Sequence, residues 1–85
     1  MSTTATVTLV TKPGCHLCDA AREVVVAVVA GNAGATFVEK SILDDAELYD
    51  RFVEDIPVVL INDRVHNIWR VDADRLRGAL LEVTA

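Results

Sequence analysis

Residues 6–30, TVTLVTKPGCHLCDAAREVVVAVVA, contain the features that decide the fold. Segment 6–11 alternates β-branched and apolar residues, which is typical of a strand. Lys12-Pro13-Gly14 interrupts the alternation and predicts a turn. From Cys15 to about Ala30 the apolar residues recur near helical spacing, and the glycine-containing segment 31–34 predicts the end of that helix. The sequence therefore predicts a strand, a turn and a helix that begins at a cysteine.

Strands and helices continue to alternate downstream of this unit. A second strand is predicted over Ala35 to Ile42, and the acidic pair Asp44-Asp45 suits the positive N-terminus of a second helix. The apolar run from Ile56 to Ile61 predicts a buried third strand. Asn62-Asp63 then predicts a tight turn into a fourth strand through Val65 and Ile68.

A final helix is predicted after Asp72 or Asp74, either of which is a suitable N-cap. The predicted order is βαβαββα, with parallel strands in the first half and a hairpin in the second. The sequence thus indicates an α/β fold in which helices cover both faces of a four-stranded mixed sheet. A chain of 85 residues is expected to form a single domain, residues 1–85.

The pair Cys15 and Cys18 is the strongest functional signal. It lies at the start of the first predicted helix, where unpaired backbone N–H groups and the helix dipole stabilise an anion. A thiolate is the species that attacks a disulfide. Cys15 is therefore the predicted nucleophile, and Cys18, one turn further on, the residue that resolves the mixed disulfide. His16 and Lys12 are expected to add positive potential, and Leu17 to present apolar surface to a partner.

Other interpretations of these residues are weaker. A Cys-x-x-Cys pair is also half of a zinc site, but such sites usually need a second pair of Cys or His, and the only histidines are His16 and His66. No metal site is expected. His16 can equally be an exposed helix residue without a role. Trp69 is expected to pack under the last helix and Arg70 to be exposed, since a lone Trp is more often a core residue.

Composition narrows the choice of partners. The net charge of −5 disfavours nucleic acid and anionic membranes, both of which attract basic surfaces. No apolar run approaches the roughly 20 residues that a membrane span needs. The N-terminal segment lacks the features of a signal peptide. We therefore expect a cytoplasmic protein, in a compartment where disulfides are usually transient and catalytic.

The segment 11–18, TKPGCHLC, followed by Ile56-Pro57-Val58-Val59, resembles the glutaredoxin-like proteins of the thioredoxin superfamily, and in particular a small bacterial group with Lys-Pro-Gly before Cys-x-x-Cys. The resemblance covers almost the whole chain and implies a glutaredoxin-type thioredoxin-like fold. It also implies that Pro57 follows a cis peptide bond, although the base rate for X–Pro bonds favours trans. Ile56 would then offer its backbone to a bound peptide or thiol.

The resemblance extends to the remaining site residues. Lys12 matches the lysine that contacts a glutathione carboxylate, Cys15 the attacking thiol and Cys18 the resolving thiol. The family's Gly-Gly pair before the last helix has no counterpart in segment 66–72, although Asp72 is still expected near the ligand. The expected co-substrate is therefore glutathione, another low-molecular-weight thiol or a protein reductant.

Three functions follow from these residues. The favoured one is a thiol–disulfide oxidoreductase that reduces protein or mixed low-molecular-weight disulfides. The alternatives are a non-catalytic binding module that uses the Ile56-Pro57 groove, and a metal or iron–sulfur carrier that uses the cysteine pair. The expected partner is a disulfide-containing protein or a small thiol. We expect no tightly bound cofactor and a monomeric chain.

Overall fold

The computed structural model describes residues 4–84. The prediction about a signal peptide falls mainly on residues 1–3, which lie outside the described residues. The elements are β1 (Ala5–Thr11), α1 (His16–Ala30), β2 (Ala35–Ser41), α2 (Ala46–Phe52), β3 (Val58–Ile61), β4 (Arg64–Ile68) and α3 (Ala73–Thr84). This is the predicted βαβαββα order.

The four strands form one sheet in the order β2-β1-β3-β4. β1 pairs with β2 in parallel, in a register that runs from Ala5 opposite Ala35 to Thr11 opposite Ser41. β1 and β3 are antiparallel, as are β3 and β4. The mixed sheet predicted from the sequence is therefore confirmed. It has two central strands, β1 and β3, and both are buried along almost their whole length.

The side chains of the central strands alternate between two apolar clusters. Val7 and Leu9 of β1 point to the face on which α1 and α3 pack, where Leu76 and Leu80 are fully buried. Val10 points to the opposite face, where it packs with Phe52 of α2. This period of two follows from strand geometry, because successive side chains leave opposite faces of a sheet. Helices therefore cover both faces, as predicted.

The structure refines several predicted boundaries. Asp45, and not Asp44, caps α2, and its carboxylate accepts the N–H groups of Glu47 and Leu48. β3 begins at Val58, because Pro57 has no N–H to donate to a strand ladder. The turn at Asn62-Asp63 has φ of +50° and +67°, the left-handed conformations that tight hairpin turns require.

The hairpin formed by β3 and β4 contains one irregularity. Val59 pairs with Asn67 and Leu60 with Val65, so the intervening His66 is an extra residue in β4. Such a bulge increases the local twist of the strand. Within residues 4–84, no helix combines the length and the apolar character needed to cross a bilayer.

Candidate functional site

The two cysteines lie where β1 leads into α1. Gly14 has a φ of +70°, a conformation that glycine adopts without steric penalty. Cys15 then takes an extended conformation, with φ −103° and ψ 112°, and its side chain caps α1. Its Sγ accepts a hydrogen bond of 3.0 Å from the backbone N–H of Cys18. The sulfur thus occupies the position in which helix N-termini hold an acceptor or an anion.

The environments of the two thiols differ. Cys15 is partly exposed, whereas Cys18 is only 1% exposed. Burial raises the pKa of the Cys18 thiol to about 11, and its hydrogen bond with Cys15 acts in the same direction. Cys18 therefore keeps its proton at neutral pH. The sulfur that an incoming molecule can reach is that of Cys15.

Ile56 lies close to the cysteine pair, although it is distant in sequence, and Pro57 is the next residue in the chain. Ile56 belongs to the same apolar cluster as Cys18 and Val58, and Cys15 packs against the edge of that cluster. Pro57 is fully buried. The Ile56–Pro57 peptide bond is cis, which confirms the expectation from the resemblance.

A polar groove of about 300 Å³ opens on one side of Cys15. It is lined by Thr11, Lys12, Pro13, Gly14, Cys15, Asp19, Arg22, Glu39 and Ser41. Arg22 donates to both carboxylate oxygens of Glu39, at 2.6 and 2.8 Å, and to Asp19 at 2.8 Å. Thr11 adds a hydroxyl donor to Glu39 at 3.2 Å. The Arg22 guanidinium lowers the pKa of the Glu39 carboxyl, so the groove contains a paired carboxylate beside Lys12.

Sequence reasoning did not identify Arg22 or Glu39 as part of the site. The spacing of Asp19 and Arg22 is a weak local signal, because residues three apart on a helix can form an ion pair. Glu39 comes from β2, and only the parallel pairing of β1 with β2 brings it opposite Leu9. Its position therefore depends on strand register, which no local pattern specified.

An apolar groove, also of about 300 Å³, begins at Leu17, which lies between the two cysteines in sequence. It is lined by Leu17, Ala20, Ala21, Val24, Trp69, Arg70 and Val71. Leu17 is 48% exposed and Trp69 54% exposed, so two large apolar side chains remain accessible to solvent at this groove. The prediction that Trp69 packs under the last helix is wrong, whereas the predicted exposure of Arg70 is confirmed.

The backbone at Trp69 explains this exposure. Trp69 has a φ of +67°, and the N–H of Arg70 donates to the carbonyl of Ile68 at 2.9 Å. This is the positive-φ form of the γ-turn, which is rare and strained. A side chain at such a φ costs on the order of 1–3 kcal/mol. The Trp69 N–H donates to the Pro57 carbonyl at 2.8 Å, which ties this turn to the segment beside the cysteines.

Two further predicted site residues, His16 and Asp72, lie at helix N-termini. His16 is the exposed first residue of α1. Asp72 precedes α3, and its Oδ1 accepts the N–H groups of Asp74 and Arg75 at 2.9 and 3.1 Å. Asp72 is thus the cap that the sequence left open between two candidates. It follows the apolar-groove residues in sequence but is not among the residues that line either groove.

His66, the bulge residue, is distinct from this site. Its Nε2 is buried without a hydrogen-bond partner among residues 4–84. Burial lowers the pKa of its imidazole, and the charge of Arg75 adds to that effect. Within residues 4–84, no group of three or more His, Cys, Asp or Glu side chains is arranged to hold a metal ion.

Comparison with known proteins shows consistent similarities. The family described as "Glutaredoxin-like domain (DUF836)" matches residues 6–81. The "Glutaredoxin-like protein YDR286C homolog" of Dictyostelium discoideum is 30% identical over 71 residues, which cover 78% of this chain and 66% of that protein. This chain thus spans just under two thirds of the length of that relative.

Two solved structures extend the comparison. Northeast Structural Genomics target protein XcR50 from X. campestris is 34% identical with a TM-score of 0.70, and the match covers 89% of this chain and 96% of that one. A mutant thioredoxin from Halobacterium salinarum has a TM-score of 0.74 at 15% identity, over 98% of this chain and 77% of that one. At this identity the second match concerns the fold alone.

Proposed function

This chain belongs to the glutaredoxin-like domain family and has the thioredoxin fold, and from that premise we propose that it is a thiol–disulfide oxidoreductase acting through Cys15 and Cys18. One observation carries the proposal: the accessible Cys15 Sγ accepts the Cys18 N–H at the N-terminus of α1. A thiolate gains most from such a donor and from the helix dipole. A buried second thiol lies one turn further along the helix.

The proposed reaction begins with the Cys15 thiolate. It attacks one sulfur of a disulfide, forms a mixed disulfide with that half and releases the other half as a thiolate, which takes up a proton. Cys18 then loses its proton and attacks the Cys15 sulfur, and the second half leaves as a thiol. The substrate disulfide gains two electrons and two protons, and Cys15 and Cys18 become a disulfide.

The raised pKa of Cys18 bears on the second step. Burial is the largest cause of the rise, and the hydrogen bond and the charge of Cys15 add to it. The two Cys15 contributions weaken once its sulfur is in a mixed disulfide, because that sulfur no longer carries a charge or a proton, whereas the effect of burial remains. Cys18 therefore becomes more acidic when its thiolate is needed. Premature attack by Cys18 is disfavoured in the reduced protein.

We propose that residues around the cysteine pair bind the substrate. Lys12, in the polar groove, would attract a carboxylate of the substrate, and Leu17 would contact its apolar part. Ile56 would offer its backbone to an extended segment, with Pro57 shaping that surface. His16 would add positive potential next to Cys15 when it is protonated, and Asp72 would receive a positively charged group of the ligand at the start of α3.

The oxidised pair must be reduced again by an external thiol. Two molecules of glutathione or of another low-molecular-weight thiol would reduce it through a mixed disulfide, and a protein dithiol would do the same in one encounter. The proposed partner is thus a disulfide-bearing protein or a small thiol, acting on a monomer in a reducing compartment such as the cytoplasm. No tightly bound cofactor takes part.

The proposal is tested by alkylation together with disulfide reduction. Reduced wild-type protein, Cys15→Ser and Cys18→Ser are treated with iodoacetamide across a pH series, and the modified residue is identified by mass spectrometry. We expect rapid modification of Cys15 at neutral pH and slow modification of Cys18. In parallel, Cys18→Ser should accumulate a mixed disulfide with a model disulfide, and wild-type protein should reduce that disulfide completely.

Other outcomes would contradict the proposal. Equal, slow alkylation of both cysteines with no reduction of any disulfide would favour a binding module. Stoichiometric zinc or iron in protein purified under reducing conditions, lost in both cysteine variants, would favour the metal or cluster carrier.

A further inference from the structure

The position of the apolar groove suggests what it binds. Leu17, at one wall, lies between the two cysteines in sequence, and α1 continues the wall through Ala20, Ala21 and Val24. Because Cys15 and Leu17 both lie at the start of α1, a segment bound at Cys15 can extend over this surface. A volume of about 300 Å³ lies at the lower limit of pockets that hold small molecules. Such a space suits one large side chain.

Trp69, on the opposite wall of the apolar groove, has a strained backbone conformation. Trp69 keeps a φ of +67°, which glycine would adopt freely, and remains 54% exposed. The indole N–H donates one long hydrogen bond to the Glu54 carbonyl, at 3.4 Å, and the exposed ring gains little from burial, so these contacts offset the strain of a bulky residue at positive φ only in part. A strained backbone around an exposed aromatic side chain is typical of a site whose side chain has a binding role.

The charge of the groove restricts its occupant further. Arg70 is the only charged residue among those that line it, and its side chain is exposed. The chain as a whole carries a net charge of −5, so this cation lies on an otherwise acidic molecule. A small thiol that carries a carboxylate would pair with Arg70 but would leave the apolar walls of the groove uncovered. An apolar side chain with a nearby carboxylate satisfies both the walls and Arg70.

We propose that the apolar groove binds an extended protein segment that carries a large apolar side chain next to the attacked cysteine and an acidic residue that pairs with Arg70. This inference rests on the proposed oxidoreductase function and names its substrate class: disulfides in proteins whose cysteine is flanked by apolar and acidic residues. Leu17 and Trp69 contact the apolar side chain, and Arg70 determines the preference for negative charge.

The inference is tested with three symmetrical peptide disulfides. Their halves are Glu-Leu-Cys-Leu-Glu, Glu-Ser-Cys-Ser-Glu and Lys-Leu-Cys-Leu-Lys, each with blocked ends. Rate constants for reduction by the dithiol protein are measured by acid quenching and chromatography, and each is divided by the rate for 2-hydroxyethyl disulfide with the same variant. We expect the first peptide to react about tenfold faster than either of the others, one factor of ten being about 1.4 kcal/mol.

Three variants test whether this preference for apolar and acidic peptides arises from the groove. Trp69→Gly should reduce the preference for leucine over serine to about twofold or less, and Tm is measured alongside, because glycine adopts a positive φ freely but loses the indole hydrogen bond to Glu54. Arg70→Glu should reverse the preference for the acidic over the basic peptide. Leu81→Ala is the matched control: it removes another exposed apolar side chain, from α3 and outside the groove, and should leave both preferences unchanged.

Binding can also be followed without any redox step. Trp69 is the only tryptophan in the chain, so its fluorescence reports directly on this groove. Titration of Cys15→Ser with the S-methylated leucine peptide should give a saturable blue shift of the emission, and the serine peptide should not.

The possible failures are distinguishable. Equal rates for the three peptides, with no fluorescence shift, would overturn the proposed peptide-binding role of the apolar groove. The proposed oxidoreductase function would still stand. A fluorescence shift without reduction of any disulfide would overturn the proposed function and retain the groove as a binding surface.

Discussion

The N-termini of α1 and α3 are capped in the same way by different atoms. At α3, Asp72 presents a carboxylate oxygen to two backbone N–H groups, at 2.9 and 3.1 Å. At α1, the Cys15 sulfur accepts one N–H, at 3.0 Å. Asp72 is exposed, whereas Cys15 also packs against the apolar cluster around Cys18 and Ile56. The Asp72 carboxylate thus satisfies two backbone N–H groups of α3. The Cys15 sulfur satisfies one N–H group of α1, and it is a reactive atom.

This difference separates stability from chemistry. Asp, Asn and Ser are the residues that stabilise a helix N-terminus best. A cysteine at this position gives up part of that stabilisation, and in return the unpaired donors of the helix act on a sulfur that can become an anion. The same helix-end physics thus serves the fold at α3 and the proposed reaction at α1.

The largest effect is expected from Cys15→Ser, which makes the α1 cap resemble an ordinary one. Disulfide reduction should fall by at least about a hundredfold, because no other accessible thiolate replaces the nucleophile. Tm should stay the same or rise, since serine is a favoured N-cap. Activity and thermal unfolding are measured on the same preparation. A variant that keeps its activity would remove Cys15 from the reaction.

The second prediction concerns Cys18, whose N–H is bonded to the α1 cap. Its folded-state pKa of about 11 exceeds the ordinary value of 9.0, so above pH 9 the unfolded chain loses this proton first. The free energy of unfolding should therefore fall as pH rises from about 9 to 11, by on the order of 2 kcal/mol. Urea unfolding of wild type and Cys18→Ala across this range measures the difference. Parallel pH profiles would contradict the assignment.

A smaller effect is expected at the α3 cap. Asp72→Ala should lower the free energy of unfolding by about 1 kcal/mol at pH 7, because two N–H groups lose their acceptor. Asp45→Ala, at the equivalent position of α2, is the matched control for stability. If Asp72 also binds the substrate, only Asp72→Ala should raise KM for a small mixed disulfide. Identical KM values for the two variants would limit Asp72 to capping.

The smallest effect concerns Glu39, which the α1 residue Arg22 holds in the polar groove. Because Arg22 lowers the pKa of Glu39 below the ordinary 4.5, the carboxylate contributes stability above that pH and loses it as pH falls further. Glu39→Gln should therefore be less stable than wild type at pH 7, and the difference should shrink at a lower pH, as the pH falls below 4.5. Chemical unfolding at both pH values measures this. A difference that persists at the lower pH would assign the effect to packing rather than charge.

Local patterns allowed most of the fold to be predicted. The alternation in 6–11, the break at Lys12-Pro13-Gly14 and the acidic residues before α2 and α3 each act within a few residues, so their physics is visible in sequence. The site was only partly predictable. Cys15 and Cys18 were identified by spacing, and Pro57 by resemblance. Arg22, Glu39 and the exposed position of Trp69 were missed, because they depend on strand register and on a single backbone angle.

The sequence by itself determined the order of the elements, the two faces of the sheet and the presence of a cysteine pair at a helix start, since these depend on hydrophobic period and turn residues. Only the tertiary structure decided that Cys18 is buried and Cys15 is not. It also placed Ile56 in the same apolar cluster as Cys18. It also decided that a polar groove opens at Cys15 and an apolar groove at Leu17. The physical reason is that burial, desolvation and groove shape arise from elements distant in sequence, which pack together only in the folded chain.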